Sequence, residues 1–110
     1  MTFLRGVWTS DSAPSRYSVR VYHDGRTVHV ATFNCALVAA VVFDVFSLNR
    51  FGQYAQTNLP AGDYNLHFIK SATFEGVLAW ARRLAEQDVQ GESTDLLEAS
   101  SCLALLTLAA

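Results

Sequence analysis

Residues 16–33 read RYSVRVYHDGRTVHVATF, two alternating runs on either side of Asp24-Gly25. An Asp-Gly pair between such runs predicts a type I′ hairpin, because both central residues of that turn need positive φ. A two-residue turn sets the pairing: His23 faces Arg26, Tyr22 faces Thr27, Val21 faces Val28, Arg20 faces His29 and Val19 faces Val30. Strand side chains alternate, so Val19, Val21, Val28 and Val30 share one face and are expected in the core. Ser18, Arg20, Tyr22, Thr27 and His29 share the other face, which therefore mixes bases, rings and hydroxyls.

Working outward, Thr2 to Thr9 is apolar and β-branched enough for a strand before the hairpin, with Gly6 as a candidate bulge. After the hairpin comes CALVAAVVFDVFSL, residues 35–48, with Asp44 as its single charge. A helix with no wet side is one that other elements pack around, or one shared with a partner. Thr32 or Asn34 is placed to cap it, and Asp44 is expected on its rim, solvated or paired with an arginine such as Arg50. Residues 49–62 show no period and read as a long loop.

In residues 63–69, Tyr64, Leu66 and Phe68 alternate with Asn65, His67 and Ile69, which predicts a fourth strand. Ser71 then caps a helix over 72–89, whose stripe is Phe74, Val77, Leu78, Ala81, Leu84 and Ala85, with Trp80 at its border. Thr94 starts a third helix over 95–109, rich in leucine. The expected fold is a single α+β domain over 1–110, in the order β-β-β-α-β-α-α. A mostly antiparallel four-stranded sheet would pack on three helices.

The chain has 110 residues, of which 51% are hydrophobic and 16% charged, enough apolar content for a core without disulfides. The net charge of −2 hides an asymmetry. Residues 1–83 hold all eight Lys and Arg against five acids, whereas 84–110 hold Glu86, Asp88, Glu92, Asp95 and Glu98 with no base. These five acids, with Trp80 beside them, are the candidate contact for a partner with a basic surface. Leu97, Leu103 and Leu106 leave the last helix apolar on several sides and are the candidate homodimer contact.

Chemistry-bearing patterns are sparse. Cys35, at a helix start after a strand, is the one candidate nucleophile, with His29 as a candidate base. Cys35 and Cys102 have neither CxxC nor zinc spacing and are expected as packed thiols. His23, His29 and His67 form no HxH or HxxxH, so no metal site is expected. The glycines form no phosphate-binding loop, and no cofactor is expected. The N-terminus has no secretory h-region and the apolar run is too short to span a bilayer, so a cytoplasmic location without membrane association is expected.

In profile, this small mixed chain with low charge and an acidic end looks like the small inhibitors carried by phages and mobile elements, such as anti-CRISPR and anti-restriction proteins. The resemblance is one of size and charge and rests on no motif. It implies a non-enzymatic protein that occludes a basic surface of a larger host protein. The alternatives are a small cysteine-dependent enzyme using Cys35 with a histidine, and a single-stranded nucleic-acid binder using the outer hairpin face. The acidic balance makes nucleic acid the less expected partner.

Overall fold

A computed structural model describes residues 4–10, 12–60, 62 and 64–87. Among these, β1 (Val7–Ser10), β2 (Ala13–His23) and β3 (Arg26–Phe33) form an antiparallel sheet in the order β1-β2-β3. The helices are α1 (Ala36–Phe51), α2 (Leu66–Ser71) and α3 (Phe74–Gln87), with a 3-10 turn at Gly52–Tyr54 after α1. The fold is α+β, as the patterning implies, with three strands rather than four among the described residues. The third helix expected over 95–109, with Cys102 and its leucines, lies outside the described residues.

The hairpin turn is where the sequence puts it. Asp24 has φ 52° and Gly25 φ 78°, both positive as a type I′ turn requires. Pairing runs as expected from His23↔Arg26 to Arg20↔His29, and then slips, so that Val19 faces Ala31 and not Val30. Val30 is the extra residue of a β-bulge. The bulge lets Val30 stay buried while Phe33, opposite Tyr17, also turns inward. Arg82 from α3 covers the bulge, donating Nε to the Val30 carbonyl at 3.1 Å and Nη2 to that of His29 at 3.4 Å. Val19, Val21 and Val30 are core residues, whereas Val28 is only half-buried near the turn.

Helix α1 is the element around which the others pack. It buries ten residues, from Val38 to Val42 and from Asp44 to Leu48, against β2 and β3 on one side and α2 and α3 on others. Each large aliphatic or phenyl group so enclosed contributes roughly 1.5–3 kcal/mol. The run Ala36–Tyr54 is long and apolar enough to cross a membrane, but most of it is buried inside this fold. Its N-cap is Cys35 and not Thr32 or Asn34, without a side-chain capping bond. Gly52 closes its other end at φ 61°, donating its N–H to the Leu48 carbonyl.

The expected fourth strand is instead α2. Asn65 accepts the Phe68 N–H and so starts a helix, which buries Ile69 against α1. Asn49 then donates Nδ2 to the carbonyls of Ile69 and Ala72, each at 2.8 Å, closing the end of α2 from the side of α1. Helix α3 matches its expected stripe, with Val77, Ala81 and Leu84 in the core. Its cap is Thr73, whose Oγ1 accepts the Gly76 N–H at 3.0 Å, and not Ser71.

Candidate functional site

A concavity lies where β1 stops short. Val7 pairs with Val19, and the Gly6 carbonyl accepts the Arg20 N–H at 3.2 Å. Beyond that point β2 has no neighbouring strand on this side among the described residues. A cleft of about 760 Å³ opens between this bare edge and the C-terminal half of α1. That volume falls within the range of ligand pockets, roughly 300–1,000 Å³. Phe43, Phe46 and Phe51 from α1 and Phe74 from α3 supply apolar lining, and Trp8, Arg20, Tyr22 and Arg50 supply its aromatic and charged rim.

Sequence periodicity explains how these side chains converge. Trp8 pairs with Ser18, so it shares the outer sheet face with Arg20 and Tyr22. Phe43, Phe46 and Arg50 recur at helical spacing along the stripe of α1 that faces the edge. Arg50 reaches from the last turn of α1 to the bare strand, donating Nη1 to the Tyr22 carbonyl at 2.9 Å. Its guanidinium lies 5.5 Å from the Tyr22 ring centre and 4.8 Å from that of Phe51. The Arg20 guanidinium lies 5.8 Å from the Trp8 ring centre. Trp8 and Tyr22 are each 54% exposed and Phe51 is 49% exposed, an unusual amount of open aromatic surface in one place.

The wall beside this cleft is set by a buried acid. Asp44 is fully buried, not on the rim, and its partners are not arginines. It accepts the backbone N–H of Asn58 at 2.7 Å and of Leu59 at 2.9 Å, and the Tyr64 hydroxyl at 2.8 Å. Burial pushes its carboxyl above the ordinary 3.8, against the pull of these donors. Asn58 in turn accepts the Arg5 N–H at 2.6 Å and donates to the Arg5 carbonyl at 3.1 Å. The acid thus holds the loop that holds the backbone beside Gly6. Gly6 has φ 71°, and a Cβ there would fall within the Phe43 ring.

The residues singled out from sequence fare unevenly. Cys35 is a partly exposed free thiol, and among the described residues no hydrogen bond joins it to a histidine. His29 bonds the Thr32 hydroxyl at 3.2 Å, His23 stacks on Phe74 with ring centres 3.7 Å apart, and His67 edges Phe68. No three His, Cys, Asp or Glu side chains gather as a metal set among the described residues. Trp80 is 3% exposed and packs in the core, so it offers a partner no surface. Glu86 is exposed on α3, while Asp88, Glu92, Asp95 and Glu98, with Leu97, Leu103 and Leu106, lie outside the described residues.

Arg20 and Tyr22 were legible as outer-face residues, but Trp8, Arg50 and Phe51 joined them only through tertiary placement. The one available signal was Arg50 followed by Phe51 at the end of a largely apolar run. No protein-family model and no curated protein matches the sequence.

Proposed function

We propose that the protein is a small non-enzymatic binding protein that acts through contact with another protein. The observation that supports this best is the make-up of the cleft and its rim. Exposed Trp8, Tyr22 and Phe51 stand beside Arg20 and Arg50, the residue types that dominate protein interfaces and their hot spots. The apolar phenylalanines behind them give such a contact a dry centre.

The acidic last quarter as a second contact, for a basic surface on a larger host protein, belongs to the same proposal and rests on the sequence. So do the phage or mobile-element inhibitor role, the homodimer and the cytoplasmic location. Affinity capture from the source cell tests the core of the reading. The expected result is a protein retained by the wild type and by Arg83→Ala, and lost with Trp8→Ala/Tyr22→Ala in a chain that still folds. A captured protein that ignores the double substitution would refute the role of this edge.

A further inference from the structure

The cleft at the β2 edge pairs two exposed arginines with an apolar floor, which selects the chemistry of what it can hold. Resting on the reading of this edge as a protein contact, we infer that the cleft takes an acidic segment of its partner, with carboxylates on Arg20 and Arg50 and apolar side chains among the phenylalanines. Neither arginine forms an ion pair among the described residues, and both line the cleft from an exposed position. Arg50 spends one donor on the Tyr22 carbonyl, and a guanidinium has five. The guanidinium is planar by its own bonding, and its remaining donors suit bidentate capture of a carboxylate. The acid at this end of the cleft is Asp24, beside His23 at 3.4 Å and at the tip of the turn.

The same geometry separates an acidic peptide from a single-stranded nucleic acid. Bases bind a sheet by stacking on open ring faces. Here the Arg20 guanidinium sits over Trp8, and that of Arg50 lies near Tyr22 and Phe51, so the cations contend for the ring faces that bases would use. Two exposed guanidiniums thus stand at the mouth of an apolar cleft. A net charge of −2 on the whole chain also opposes a long polyanion more than it opposes a short acidic segment.

The test is a fluorescence-anisotropy titration of the full chain with a labelled peptide alternating glutamate and leucine. Companion probes carry lysine in place of glutamate, or serine in place of leucine, and a labelled oligo-thymidylate stands for nucleic acid. The glutamate–leucine peptide is expected to bind at least about tenfold tighter than the other three, and to weaken as salt rises. Arg20→Ala/Arg50→Ala should weaken it by about tenfold or more, whereas Arg16→Ala/Arg83→Ala should leave it unchanged. Arg20→Ala alone, whose side chain makes no backbone hydrogen bond among the described residues, carries the test if the double variant fails to fold. Tighter binding of oligo-thymidylate, equal binding of the lysine peptide, or indifference to Arg20→Ala would each overturn the inference. A captured protein that still needs Trp8 and Tyr22 would then leave the contact reading standing while this one falls.

Discussion

The Tyr64 hydroxyl donates to Asp44 Oδ2 at 2.8 Å, joining the segment before α2 to the middle of the most buried helix. With the Asn58 and Leu59 N–H groups on the same carboxylate, three donors from outside α1 converge on one acid. Asp44→Ala would leave the two N–H groups without their acceptor, at about 1–3 kcal/mol for each group so stranded. Tyr64→Phe, which removes one donor to a charge, should cost about 1.5–3 kcal/mol. Urea denaturation of the two variants measures both.

The pH dependence follows from the same acid. Its folded value is raised above the ordinary 3.8, chiefly by desolvation, so the folded state holds the proton more tightly than the unfolded one. The stability this group contributes is therefore fully present below its unfolded value, and is lost as pH rises through its raised folded value. Asp44→Asn cannot titrate. The stability difference between wild type and Asp44→Asn should shrink as pH rises across that window, and a difference that grows would show the folded value to be depressed.

Gly6→Ala should destabilise the fold by about 2–4 kcal/mol, since it adds positive-φ strain to a clash with the Phe43 ring. Removing the ring should relieve part of this. Gly6→Ala/Phe43→Ala is expected to lose less stability than the two single losses together, a coupling that a double-mutant cycle reads.

Cys35→Ser should be neutral or stabilising by up to about 1 kcal/mol, because serine can cap the start of α1 and cysteine makes no capping bond there. Partner capture should persist. A folded Cys35→Ser protein that lost its activity would favour the cysteine-enzyme alternative.

How far the sequence carried can be seen in two stretches. Residues 16–33 declared the hairpin, its turn and its core face, because Asp-Gly chemistry and strict alternation are local. The bulge at Val30 was not legible, since it is set by the need to bury Phe33 and by Arg82 arriving from α3. Residues 63–69 misled for the opposite reason: seven residues are too few to separate a period of two from one of 3.6. What decides there is Asn49, distant in sequence, which satisfies the carbonyls at the end of α2. The cleft was equally hidden, because it exists only where β1 ends and Arg50 crosses to β2.

Covalent tryptophan labelling of the captured complex tests most directly whether the β2 edge is a contact surface. In the protein alone, Trp8 should react and Trp80 should not, since they are 54% and 3% exposed. With the partner bound, Trp8 should become protected while Trp80 stays unchanged. Trp8 reacting as fast in the complex as in the protein alone would contradict the account.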